Sequence, residues 1–81
     1  MRKDILMTEK ALGIVVWFNV ELGYGFIRSD DGAPDTFVQV SELRRCGLTS
    51  LRENERVSYT VSLNDMGRHH AIDIKLMSEQ R

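Results

Sequence analysis

The sequence lacks the features of a secreted or membrane-spanning protein. Its 81 residues include one cysteine, Cys46, which cannot form a disulfide within the chain, so we expect a reducing, cytoplasmic environment. No apolar run approaches the ~20 residues of a membrane span, and we expect no membrane contact. The N-terminal residues mix both charges without an apolar stretch, unlike a secretory signal.

The excess of positive charge that is typical of nucleic-acid-binding proteins is also missing. Eleven Lys and Arg residues stand against twelve Asp and Glu, which gives a formal net charge of −1. The positive residues are mostly arginines, however, and an arginine can stack on a base as well as pair with a phosphate. The overall charge therefore does not exclude a local basic patch.

A catalytic or metal site cannot be assembled from the titratable residues. Cys46 has no third residue to orient it with a histidine, and the adjacent His69 and His70 would point apart on a strand. No cysteine or carboxylate cluster completes a tetrahedral ligand set around them. Asp30 and Asp31 precede a glycine and are typical of a turn. We therefore predict that the protein is not an enzyme and has no metal and no cofactor.

Five short segments have the β-branched and aromatic residues of strands and are separated by turn residues. They are predicted at residues 13–20, 24–29, 35–40, 56–63 and 71–77, with one helical turn at 41–47 that Ser41 caps. The predicted aliphatic interior consists of Val15, Ile27, Val38, Val57, Val61, Ile72 and Ile74, with Leu43 and Leu51. Five strands without a substantial helix indicate an all-β, closed or nearly closed barrel, which has no exposed edge strand. We expect a flexible extension at 1–11, one domain at 12–77 and a tail at 78–81.

Most of the aromatic residues are left over once this interior is filled. In the segment GYGFI, at residues 23–27, Tyr24 and Phe26 project from the same face of a strand. Trp17 and Phe37 lie on the neighbouring predicted strands. Such a surface could stack on unpaired bases, at about 1–3 kcal/mol for each base. The alternative is that these rings are ordinary barrel core.

Three segments resemble the cold-shock domain: GIVVWFN at 13–19, GYGFI at 23–27 and DTFVQVSEL at 35–43. The resemblance continues through most of residues 12–77, and the two ribonucleoprotein-type motifs of that family correspond to residues 22–27 and 36–39. It implies a five-stranded antiparallel OB-fold barrel that binds single-stranded RNA or DNA. Members often act in bacteria as RNA chaperones or as regulators of transcription or translation.

The resemblance also implies which residues bind the nucleic acid. Trp17, Tyr24, Phe26 and Phe37 would form the stacking face, and Phe18 would flank it. Asn19 and Asp35 match polar positions of the family near the bound strand. Gln39 takes the place of a histidine and keeps its hydrogen-bonding capacity. Arg28 alternates onto the face of Tyr24 and Phe26 and would add a positive charge. These are the predicted site residues.

Several positions depart from the family pattern. Val16 and Leu22 replace lysines, and Val40 and Leu48 replace aromatic residues. We therefore expect weaker binding than is typical of the family, by a monomer or a weak homodimer. The lost lysines also leave an alternative open, in which a degenerate barrel uses its apolar face to bind another protein or a second copy of itself.

Overall fold

The computed structural model describes residues 8–64 and 66–79, which form a closed barrel of five strands. The strands are β1 (Thr8–Asn19), β2 (Tyr24–Ser29), β3 (Thr36–Gln39), β4 (Arg56–Leu63) and β5 (His69–Leu76). A short helix, α1 (Val40–Arg45), follows β3, and a 3-10 turn (Met77–Glu79) follows β5. The strand order around the barrel is β1-β2-β3-β5-β4. Neighbours are antiparallel except β3 and β5, which are parallel. The predicted all-β barrel is confirmed.

The predicted elements agree with the structure except at their ends. Strands β2 and β4 have the predicted bounds, whereas β1 begins at Thr8, inside the predicted extension, and pairs with β4 from there. Residues 1–7 of that extension lie outside the described residues. The predicted cap at Ser41 is wrong, because α1 begins at Val40 and Gln39 occupies the N-cap without a side-chain hydrogen bond. The backbone of β3 therefore runs directly into the helix.

The interior contains seven of the nine predicted side chains. Val61 and Ile72 are only partly buried, and Tyr59 and Ala71 are in the core instead. The reason in β5 is a bulge. Ser58 pairs with Lys75 and Thr60 with Ile72, so β5 carries one extra residue at this point. Asp73 adopts a positive φ of 52° there, and Ala71, rather than Ile72, takes the inward direction. The fully buried core consists of Val15, Ile27, Val38, Leu43, Leu51, Val57, Tyr59, Ala71 and Ile74.

Tyr59 is the largest of the fully buried side chains and the only aromatic one among them. Its burial raises the pKa of the phenol, because the ionised form would be poorly solvated. The Ser29 and Thr36 hydroxyls lie close enough to offset part of that shift. No hydrogen bond to the buried Tyr59 oxygen forms among the described residues. Tyr59 therefore contributes to the protein by packing in the barrel core.

A polar cluster fastens α1 to the bulge of β5. The Glu42 carboxylate accepts hydrogen bonds from Arg45, with 2.6 Å from Nη2 to Oε2, and from the Asp73 amide at 3.0 Å. Arg45 Nη2 also lies 2.6 Å from Asp73 Oδ1. The hydrogen bond from Arg45 is the main cause that lowers the pKa of Glu42, and the hydrogen bond from the Asp73 amide adds a smaller effect. Because α1 follows β3 without a linker, this cluster also holds β3 beside β5.

Replacing Glu42 with glutamine should lower stability at neutral pH by about 1–2 kcal/mol, because charge-assisted hydrogen bonds are lost at a mostly buried group. A depressed carboxyl pKa contributes stability above its unfolded value of about 4.3, which is lost as the pH falls through the folded value. The stability difference should therefore become smaller at pH 3 than at pH 7. Urea unfolding of both proteins at pH 7 and pH 3 measures it, with the exposed Glu53→Gln as control. A difference that does not change with pH would contradict the assignment.

Candidate nucleic-acid interface

Four aromatic rings form one cluster on the outside of β1, β2 and β3. The ring centroids of Tyr24 lie 5.4 Å from Trp17, 6.0 Å from Phe26 and 5.5 Å from Phe37. Phe26 and Phe37 are 5.9 Å apart. All four side chains are half-buried, and none belongs to the core cluster. We call the surface formed by these four residues the ring face.

The strand register arranges the ring face and its polar neighbours in two rows. In the first row, Phe26 is the cross-strand partner of Trp17 on one side and of Phe37 on the other. In the second row, Tyr24 is the partner of Asn19 and of Gln39. Directly opposed residues of antiparallel strands share a face, with Cβ atoms about 4.5–5.5 Å apart. These two rows contain six of the nine predicted site residues.

A β-bulge in β1 gives Trp17 its outward position. Val15 pairs with Ile27 and Trp17 pairs with Phe26, so Val16 is an extra residue that β2 does not match. Without it, alternation would place Trp17 on the same side as the buried Val15. The bulge reverses the alternation, and Trp17 joins the ring face.

Gly25 allows β2 to lie tightly against β1. A Cβ atom at this position would lie 2.2 Å from the Trp17 carbonyl oxygen and 2.7 Å from both Cα and Cδ1 of Phe18. Atoms of β1 therefore occupy the space beside this glycine. Tyr24 and Phe26, on either side of it, point outward.

Phe18 lies on the other side of the barrel wall from the ring face. Its side chain packs against the core and covers the inner side of Gly25. The reason is the alternation after the bulge, which turns Trp17 outward and the next residue inward. The structure therefore does not bring Phe18 together with the predicted stacking residues.

The charged residues near the ring face partly cancel one another. Arg28 lies two residues beyond Phe26 on the same strand, and its Nε is 3.6 Å from Asp35 Oδ1. Both side chains are well exposed, so this ion pair is weak. Neither β2 nor β3 contains a lysine. The electrostatic attraction of this surface for phosphate is therefore modest.

A groove of about 600 Å³ continues the ring face towards the turn between β4 and β5. Phe26 and Phe37 line it together with Met66, a residue that is 79% exposed. The remaining lining residues are Asp35, Asn64, Gly67, Arg68 and His69. The sequence patterns did not point to Asn64, Met66 or His69, because only the pairing of β3 with β5 brings this turn next to Phe37.

Across the described residues, no helix is long and apolar enough to cross a membrane. Within the same part of the chain, no group of three or more His, Cys, Asp or Glu side chains is arranged to hold a metal ion.

Comparison with known proteins agrees with this geometry. The model of the "cold-shock" DNA-binding domain matches residues 11–77. The cold shock-like protein CspA of Bordetella pertussis is 46% identical over 55 residues, which are 68% of this chain and 82% of that protein. The cold shock protein CspA of Rhizobium meliloti is 49% identical over 49 residues, 60% of this chain and 71% of that protein. The cold shock-like protein CspG of Escherichia coli is 36% identical over 61 residues, 75% of this chain and 87% of that protein. The chain therefore belongs to the cold-shock domain family, whose members bind single-stranded nucleic acids.

Proposed function

We propose that the protein binds single-stranded RNA or DNA by stacking bases on the ring face. The observation that carries this proposal is the position of four half-buried rings outside the core, each within 6.0 Å of another. A stacked base contributes about 1–3 kcal/mol, so three stacks contribute about 3–9 kcal/mol, and the upper end of that range corresponds to micromolar binding. Stacking requires unpaired bases, which selects single strands over duplexes.

Polar groups at the rim hold the backbone and the base edges. Arg28 reaches a phosphate at the end of β2 when it leaves its weak pair with Asp35. Arg68 does the same in the groove, where Asp35 provides a hydrogen-bond acceptor for base amino groups. Asn19 and Gln39 provide amides beside Tyr24. Stacking contributes most of the binding free energy, because the cations are few.

Such a protein acts passively on its target. It traps strands that open transiently and so shifts the equilibrium away from base-paired RNA, without nucleotide hydrolysis. This is the activity of an RNA chaperone, and the same trapping regulates transcription or translation when the opened structure is a terminator or a ribosome-binding site.

The test is a titration of Trp17 fluorescence with thymine or uracil oligonucleotides at low salt. We expect quenching with a micromolar or lower Kd. Contacts from Arg28 and Arg68 give a shallow salt dependence, with a slope of about −1.4 in log K against log salt, at ~0.7 for each contact on a single strand. No quenching at a high micromolar concentration of strand would refute the proposal. A hairpin of equal composition should bind much more weakly, because its bases are paired.

A second candidate is self-association through the apolar residues next to the ring face. Leu22 is 61% exposed and Val20 is 50% exposed, both in the turn between β1 and β2. An apolar patch of this kind is typical of an interaction surface. If this candidate is right, the mass in solution rises with concentration, Leu22→Lys abolishes the rise, and the ring face binds no nucleic acid. A constant monomer mass contradicts it.

A further inference from the structure

Tyr24 differs from the other rings of the ring face because an amide side chain is its partner on each adjacent strand. Asn19 of β1 lies across from it on one side, and Gln39 of β3 on the other. Asn19, Tyr24 and Gln39 all share the outward face. A base stacked on Tyr24 therefore has a hydrogen-bonding group beside each of its two edges.

The two amides differ in what they offer to a base. The Asn19 Oδ1 already accepts the Leu22 amide hydrogen at 2.9 Å, which leaves the Nδ2 hydrogens as donors. Gln39 is exposed, and its side chain forms no hydrogen bond with any residue of 8–64 or 66–79. It offers an adjacent donor and acceptor, and the amide can rotate to present them in either order. The site thus offers chiefly donors on the Asn19 side and both a donor and an acceptor on the Gln39 side.

The edges of the bases respond differently to this arrangement. A pyrimidine has its ring hydrogen-bonding atoms on the Watson–Crick edge. Its C5 and C6 edge is bordered only by the exocyclic group on C4, which is an amino donor in cytosine and an oxygen acceptor in thymine or uracil. A purine has a donor and an acceptor on the Watson–Crick edge and the acceptor N7 on the opposite edge. Only a purine therefore presents a ring acceptor, N7, to Asn19 while its Watson–Crick edge pairs with Gln39. Adenine can stack on Tyr24 in two orientations, and both use N7. In the first, Gln39 pairs with N6 and N1, and Asn19 donates to N7. In the second, Gln39 pairs with N6 and N7, and Asn19 donates to N1.

We propose that the Tyr24 subsite prefers a purine and that Gln39 and Asn19 read its two edges. This inference rests on the proposed function, since it concerns a base stacked on the same ring face. It also explains how Gln39, which the resemblance marks as a departure from the family pattern, takes part in binding. The proposed preference arises from hydrogen bonds. It can therefore be distinguished from a preference that arises because a purine has a larger stacking area.

The test compares three short strands by the fluorescence of Trp17, whose ring lies 5.4 Å from Tyr24. One contains thymine only, one has a single central adenine, and one has 7-deazaadenine at that position, which keeps the purine rings but lacks N7. The adenine strand should bind about fivefold more tightly than the 7-deazaadenine strand, from the lower end of the discrimination measured for paired base contacts.

Gln39→Leu is the matched variant, because leucine keeps the size of the side chain at an exposed position and removes the amide. It should reduce the ratio of the adenine to the 7-deazaadenine affinity to less than twofold, and a circular dichroism spectrum like that of the unmodified protein shows that the barrel is intact. Equal binding of adenine and 7-deazaadenine, or an unchanged preference in Gln39→Leu, would overturn the purine assignment and leave the stacking proposal standing. No quenching by any of the three strands would overturn both.

Discussion

Replacing Phe26 with leucine is expected to weaken the binding of a thymine oligonucleotide by about fivefold or more. Phe26 is the centre of its row, with Trp17 and Phe37 as partners on the two sides, and its ring also lines the groove. Leucine keeps the apolar volume but has no flat π surface. The loss of one base stack corresponds to about 1–3 kcal/mol, or roughly 5- to 150-fold in Kd. Titration of Trp17 fluorescence measures it.

Phe18→Leu is the matched control for this prediction. It makes the same chemical change on the same barrel wall, but at a ring that packs against the core. We expect it to lower the free energy of unfolding by about 1 kcal/mol and to change the affinity of the folded protein less than twofold. Equal losses of affinity in the two variants would show that binding depends on the integrity of the barrel and not on the ring face.

Phe26→Leu also distinguishes the two candidate functions, which are nucleic-acid binding and self-association. Self-association through an apolar surface tolerates leucine in place of phenylalanine, because the buried apolar area changes little. Stacking on bases does not tolerate it. If Phe26→Leu leaves nucleic-acid binding intact, the ring face is not a stacking surface, whatever else the protein binds.

Replacing Gly25 with alanine is expected to destabilise the barrel by about 3 kcal/mol or more. The new methyl group would lie 2.2 Å from the Trp17 carbonyl oxygen and 2.7 Å from the Phe18 Cα, both of which are backbone atoms held in the β1–β2 ladder. A side chain can rotate away from a clash, whereas a strand backbone must shift and break its pairing. A domain of this size has a total stability of roughly 4–12 kcal/mol, so a large fraction of it would be lost. Urea unfolding followed by circular dichroism measures this change.

Gly32→Ala is the control for a glycine with no close neighbour. Nothing lies within 4 Å of a Cβ at Gly32, but its φ of 85° is one that alanine adopts only with strain. We expect a cost of about 1–2 kcal/mol from the backbone conformation alone. If Gly25→Ala is no more destabilising than Gly32→Ala, the close approach of β2 to β1 is not the reason that position 25 requires glycine.

Much of the fold could be predicted from the sequence because its signals are local. The alternation of Val57 and Tyr59 with polar neighbours indicates the face of β4 that is buried, and β4 has the predicted bounds. Turn residues with positive φ, such as Gly23 and Gly47, mark where strands and the helix end. The pair of aromatic residues around Gly25 indicated the ring face in the same way, since residues two apart on a strand point to one side.

Two of the failures have a common cause in strand pairing. Ile72 was predicted to be buried by simple alternation, but the bulge at Asp73 gives the inward position to Ala71. The groove beside Phe37 was not predicted, since the turn that contains Met66 is 29 residues further along the chain and reaches Phe37 only through the parallel contact of β5 with β3. A bulge and a contact between distant strands depend on the register of two segments, and neither segment specifies that register alone.

The amino-acid sequence by itself determined that the chain forms a small all-β barrel with more aromatic residues than its interior needs. Composition and local alternation were enough, because each strand carries its own pattern. Only the tertiary structure decided which rings face outward. Val15 and Trp17 are two apart and would share a face on a regular strand, yet the extra residue Val16 in the pairing with β2 leaves Val15 buried and turns Trp17 out towards Phe26. The physical reason is that a bulge is a property of two paired strands, which exists only when both are in place.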